Sequence, residues 1–132
     1  KCDLNLDLQN FNYQEKNFDL VICNHVLEHI ENDITALKNI YSILKPGGLA
    51  LLQVPLSRDI EKDFQKNEIN TEKENLYLYG QKDHVRIFAE KNYLEKIKQN
   101  GFILEIDEMI AEKKNLPSFG LNFLEKVILV KK

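Results

Sequence analysis

Apolar residues between Phe18 and Pro55 change their spacing twice. Phe18 to Cys23 is a run rich in Val, Ile and Leu, the pattern of a strand covered on both faces. Asn24, His25, Glu28 and His29 then place polar groups where that strand ends. From Asn32 onward, Ile34, Leu37, Ile40, Tyr41 and Leu44 recur at the spacing of one helical face. Lys45-Pro46-Gly47-Gly48 is expected to stop the helix, because proline lacks a backbone donor and glycine accepts a left-handed cap. Leu49 to Val54 predicts a second buried strand, closed by Pro55. Strand, helix and strand make a βαβ unit, whose parallel crossover is almost always right-handed. Ligands of such sheets collect beyond the carboxyl ends of the strands. Function is therefore expected at Asn24 to His29 and from Pro55 onward.

The rest of the chain is less regular. Lys1 to Leu8 reads as the tail of a strand entering a loop, and Asn10 to Asn17 as a polar connection. Between Pro55 and His84 lies a long stretch rich in Lys, Glu and Asn, a length typical of lids, binding segments or disorder. A short helix over Asp59 to Lys66 fits its pattern poorly. Ala89 to Asn100 predicts a helix with Tyr93, Leu94 and Ile97 inward and Gly101 as its cap. Phe102 to Ile110 predicts a half-buried strand, and Leu116 to Gly120 a turn. Lys126 to Val130 predicts a final strand, antiparallel because no clear helix links it to the one before. One domain over 1–132 is expected, with 55–86 as a lid or acceptor-side insertion.

Composition narrows the class. The 132 residues are 43% hydrophobic, enough for a core of their own. Eighteen Lys and Arg against 21 Asp and Glu leave a net charge of −3, which argues against a dedicated nucleic-acid surface. No apolar run approaches the roughly 20 residues of a membrane span. Two cysteines, Cys2 and Cys23, are too few for a disulfide framework or a thiolate zinc site, and a reducing cytoplasm is the expected compartment. His25-Val26-Leu27-Glu28-His29 spells H-x-x-E-H, a spacing shared with one class of zinc peptidase. That chemistry needs both histidines on one face of a regular helix, whereas His25 directly follows a strand. A zinc peptidase is the remote alternative, and no metal ligand set is assigned.

FDLVICNHVLEHI, LKPGG, LALLQVP, GQKDHVRIF and QNGF occur in an order and spacing that resembles the second half of a class I methyltransferase using S-adenosyl-L-methionine. The resemblance implies an α/β, Rossmann-like sheet that is partial here: mostly parallel strands, a C-terminal antiparallel strand, and helices on the faces. It implies Asp3 and the Leu4 backbone at the adenine edge of the cofactor, with an ordinary loop aspartate as the plainer alternative and Asp7 a second position for that role. Asn24 and His25 fall where the family places cofactor and acceptor contacts. Imidazole is the side chain that most readily gives and takes a proton near neutral pH, so His25 suits a catalytic base, and His84 a second one. Glu28 and His29 are expected to close or orient the loop. Arg86 is expected to grip an acidic substrate group in bidentate fashion, or else Asp83 caps a helix and Arg86 pairs with a surface carboxylate. Tyr79 and Tyr77 either line the acceptor pocket or pack the lid.

The family's glycine-rich cofactor turn has no counterpart. The five glycines stand at 47, 48, 80, 101 and 120, and none precedes the first strand. With no initiator Met at Lys1, the chain is expected to be the C-terminal portion of a longer methyltransferase, inactive by itself, acting on an unidentified acceptor, most simply a small molecule. A second expectation is a non-catalytic remnant serving as a dimerisation or interaction module. Phe18 to Cys23 would then offer an unpaired apolar edge, and a homo-oligomer would follow.

Overall fold

The computed structural model describes residues 5–10, 13, 18–66, 71–105 and 127–132. Strand β1 (Phe18–Asn24) leads through a 3-10 turn (Leu27–His29) into helix α1 (Asp33–Ile43), which returns as β2 (Leu44–Gln53). The βαβ unit expected from the periodicity is therefore present. β1 and β2 pair in parallel, with Val21 opposite Ala50, Cys23 opposite Leu52 and Asn24 opposite Gln53. Asn32 caps α1, its side chain accepting from the Thr35 amide at 3.0 Å.

The Lys45-Pro46-Gly47-Gly48 stretch behaves differently from expectation. α1 passes straight into extended backbone at Leu44, and no glycine caps it. Phe18 instead faces Leu44 while Leu20 faces Leu49, so residues 45–48 form a bulge at the start of β2. Gly47 supplies the left-handed turn there, at φ 78°. A Cβ on Gly48 would lie 3.0 Å from the Lys45 carbonyl and 3.2 Å from that of Phe18. The bulge thus needs both glycines for backbone reasons.

Beyond β2 come β3 (Leu56–Ser57), α2 (Glu72–Tyr79), β4 (Phe88–Ala89), α3 (Glu90–Gln99), β5 (Ile103–Leu104) and β6 (Leu129–Lys131). Among the described residues the main sheet has four strands in the order β1-β2-β6-β5, and β3 pairs with β4 in a two-stranded parallel ribbon. β6 runs antiparallel to both β2 and β5, as expected of the last strand. Within the main sheet the β1–β2 pair is parallel and the two pairs that include β6 are antiparallel, while β3 and β4 add a second parallel pair. α2 falls within the stretch read as a lid. Its signal was Thr71-x-x-Glu74, which forms a capping box, with Gly80 as left-handed cap. The helix escapes a search for periodicity because Tyr79 is its one buried residue. Lys1 to Leu4, the far part of the strand expected from Phe102, and the turn at Leu116 to Gly120 lie outside the described residues.

Alternation along the sheet sorts its two faces. Cys23, Ala50, Leu52 and Val130 pack into one buried cluster with Ala36, Leu37 and Ile40 of α1 and Tyr93 and Ile97 of α3. On the opposite face Leu20 is 51% exposed, Ile22 67% and Ile103 61%. Both α1 and α3 serve the first face, and among the described residues no helix covers the second. Of the two covered faces expected for β1, the described residues cover one. Its apolar run marks a strand built for both. No helix among the described residues is long and apolar enough to cross a membrane.

Candidate functional site at the strand tips

The carboxyl ends of β1 and β2 lie side by side, and the polar residues singled out from the sequence gather there. Asn24 pairs with Gln53 at the end of the parallel ladder and is exposed. The His25 amide continues that ladder by donating to the Gln53 carbonyl at 2.9 Å. His25 then turns the chain at φ 53°, a conformation few residues other than glycine adopt and one that recurs at functional sites. Its Nδ1 lies 3.1 Å from Oε1 of Glu28, while its side chain stays 57% exposed. Glu28 is buried, and its second oxygen, Oε2, has no hydrogen-bond partner among the described residues. A buried carboxylate oxygen without a donor is costly, about 1–3 kcal/mol or more for a charged group.

His84 reaches this place from sequence-distant backbone. The Val85 amide donates to the Glu28 carbonyl at 2.9 Å, laying residues 84–86 along the turn after β1. The rings of His29 and His84 meet edge to face with centroids 4.8 Å apart. His29 Nδ1 sits 3.0 Å from the Asp83 carbonyl and 3.4 Å from its carboxylate. Because a carbonyl can only accept, Nδ1 of His29 carries the proton in that bond. The structure thus unites His25, Glu28, His29 and His84. It does not form a peptidase-type helix, since His25 lies in a left-handed turn and Glu28 and His29 in a 3-10 turn.

Arg86 is 2% exposed. Its Nη1 pairs with Asp33 at 2.8 Å, and its Nη2 donates to the carbonyls of Ile30 and Glu31. The expected grip on an acidic substrate group therefore meets a guanidinium already engaged by the protein, in which Nε alone lacks a partner among the described residues. Lys96 joins the same network, lying 2.6 Å from Asp33 and 2.6 Å from Asp63. Asp63 in turn accepts from the Ala89 amide at 2.8 Å. Sequence reading missed Asp33, Asp63 and Lys96, because a charge on a helix face gives no sign that it will be buried.

A cleft of about 350 Å³ opens beside these groups, lined among others by Glu28, Pro55, Ser57, Tyr79, His84 and Arg86. That volume is at the small end of ligand pockets. Tyr79 lines the cleft, and its ring packs on Phe64 with centroids 5.9 Å apart. Its hydroxyl also accepts from the Lys66 amide at 3.1 Å. Tyr77 is 89% exposed. Below the cleft, burial first and the Glu28 charge second push the Cys23 thiol up to about 12, so it is a small apolar filler at neutral pH. Asp3 and Leu4, the residues expected at the adenine edge, lie outside the described residues.

A strand-helix-strand sheet with polar groups at its carboxyl edge is the architecture of class I methyltransferases, and comparison with known proteins agrees. Residues 4–105 match the methyltransferase domain family, and the chain belongs to that family. It is 33% identical over 63 residues to a highly reducing polyketide synthase of Emericella nidulans, a match covering 45% of the chain and 2% of the synthase. Among solved structures it is similar to an S-adenosylmethionine-dependent methyltransferase from Mesorhizobium loti, with a TM-score of 0.60 and 14% identity. That match covers 96% of this chain and 67% of the other. PigF with S-adenosylhomocysteine gives a TM-score of 0.60 at 20% identity, covering 96% of this chain and 34% of PigF. The chain thus spans a small fraction of the curated relative.

Proposed function

We propose that this chain forms the acceptor-side wall of an S-adenosylmethionine-dependent methyltransferase whose acceptor is a small molecule. The observation that carries this reading is the meeting of Asn24, His25, Glu28 and His84 at the carboxyl ends of parallel strands, beside a small cleft. In such a reaction the acceptor attacks the sulfonium methyl carbon in line and a thioether leaves. The cofactor supplies the reactivity, so the protein chiefly positions the partners. His25, bonded to a buried carboxylate through Nδ1, is placed to take a proton from an acceptor hydroxyl or amine at its other nitrogen. His84 lines the cleft from the opposite segment. Asp3 and Leu4 are proposed for the adenine edge. The 132 residues contain no glycine-rich turn for the methionine end of the cofactor. The chain by itself is accordingly expected to bind S-adenosylmethionine weakly. Calorimetric titration of the isolated chain should give no low-micromolar isotherm; one that did would overturn this assignment of roles.

A second reading, an interaction module without catalysis, is favoured by the uncovered sheet face. Leu20 and Ile22 of β1 and Ile103 of β5 expose apolar surface on one face, toward its two edges, and β1 pairs with no strand on its outer edge among the described residues. A homo-oligomer through that edge follows. Sedimentation should find the chain self-associated at micromolar concentration, and Ile22→Lys should shift it toward monomer. A monomeric parent protein at those concentrations would remove this reading.

A further inference from the structure

We propose that Glu28, His29 and His84 bind one divalent first-row transition-metal ion at the edge of the cleft. One ligand atom from each of the three lies within 4.8 Å of the others. A tetrahedral ion with bonds of about 2.1 Å sets its ligands about 3.4 Å apart, so side-chain adjustments of about an ångström close the set. Two independent features prepare these side chains for an ion. Glu28 is 1% exposed, and its Oε2 has no hydrogen-bond partner among the described residues, while His25 occupies Oε1. His29 commits its Nδ1 proton to the Asp83 carbonyl, which leaves the lone pair on Nε2. Outer hydrogen bonds of this kind fix the ring and tautomer of histidines that ligate metals.

The backbone enforces the grouping. The Val85 amide bonded to the Glu28 carbonyl, and Arg86 bonded to Ile30, Glu31 and Asp33, hold residue 84 against the turn that carries Glu28 and His29. Two imidazoles and one carboxylate suit zinc, cobalt, iron(II) or manganese, and do not suit calcium or magnesium, which take oxygen ligands. Three protein ligands leave at least one position for an outside oxygen. On the methyl-transfer reading above, on which this last step alone rests, that oxygen belongs to the acceptor, and the ion favours loss of its proton.

The test is titration of the chain with cobalt(II) and zinc chlorides, followed by cobalt absorption in the visible range and by calorimetry. No methyl donor or acceptor is needed, so failure of the methyl-transfer reading would leave the result untouched. One equivalent should bind. His84→Ala and Glu28→Gln should each weaken binding at least tenfold, with His84→Asn standing in should the alanine variant not fold. His25→Gln, which keeps a donor for Glu28, should stay within about tenfold of the parent. Saturating zinc should raise the melting temperature of the parent and not of the His84 variant, as expected for a ligand of the native state. The chain holds three histidines in all, so a stray site elsewhere has little to build on. Absence of a one-equivalent complex, or binding lost with His25 and retained without His84, would overturn the proposal.

Discussion

Asp33→Asn is expected to destabilise the fold by about 3–5 kcal/mol, more than Arg86→Met. Asp33 stands in the first turn of α1 and, among the described residues, is the one carboxylate paired with Arg86, at 2.8 Å, with the two side chains 6% and 1% exposed. Neutralising it leaves a buried guanidinium held by carbonyl dipoles alone. Breaking a buried pair from one side costs roughly 3–5 kcal/mol, because the remaining charge stays desolvated. Arg86→Met leaves a different remainder. Asp33 still has Lys96 at 2.6 Å, so its charge stays compensated, and the main loss is the donor to the Ile30 and Glu31 carbonyls. A domain stabilised by about 5–15 kcal/mol would be near its limit after the first change and would survive the second. Urea unfolding of the two variants measures the difference. A smaller loss for Asp33→Asn than for Arg86→Met would mean the network is held mainly by its carbonyl contacts.

Tyr93→Ala is expected to cost about 3–5 kcal/mol, the range for removing a large aromatic side chain from a core. Tyr93 of α3 is fully buried, its ring 4.7 Å from that of Phe88, and its hydroxyl donates to the Leu52 carbonyl at 3.0 Å. The side chain therefore ties the helix to the central strand both by packing and by a hydrogen bond. Burial, reinforced by the surrounding acidic groups, holds the phenol well above its usual range, so it remains a donor throughout the accessible pH range. Tyr93→Phe keeps the ring and removes the donor, and should cost about 1 kcal/mol, the usual net worth of one hydrogen bond. Equal losses for the two variants would show that the hydroxyl rather than the ring anchors α3.

How far each feature could be read from sequence depends on how local its cause is. The βαβ unit was legible because its strands and helix each carry their own period, and Asn32 marks the local start of its helix. α2 left a capping box and a glycine stop but no apolar stripe, since its one buried residue is Tyr79. The bulge at residues 45–48 was mistaken for a helix cap because the same two glycines serve either purpose. Arg86 illustrates the other limit. DHVR read as an acceptor-facing segment, and nothing nearby in sequence said that Asp33 would meet it. His84 and His29 were each noticed, but their meeting depends on a backbone contact between Val85 and Glu28.

By itself the sequence settled the class of fold, the order of strand and helix from Phe18 to Pro55, and the edge of the sheet where chemistry gathers. Periodicity and turn chemistry act over a few residues and survive in one dimension. The tertiary structure decided which charges are buried, which sheet face is covered, and which histidine joins Glu28. Those outcomes are set by contacts between segments some fifty residues apart, such as Arg86 with the Ile30 carbonyl. Burial turns such contacts from near-neutral surface pairs into interactions of several kcal/mol.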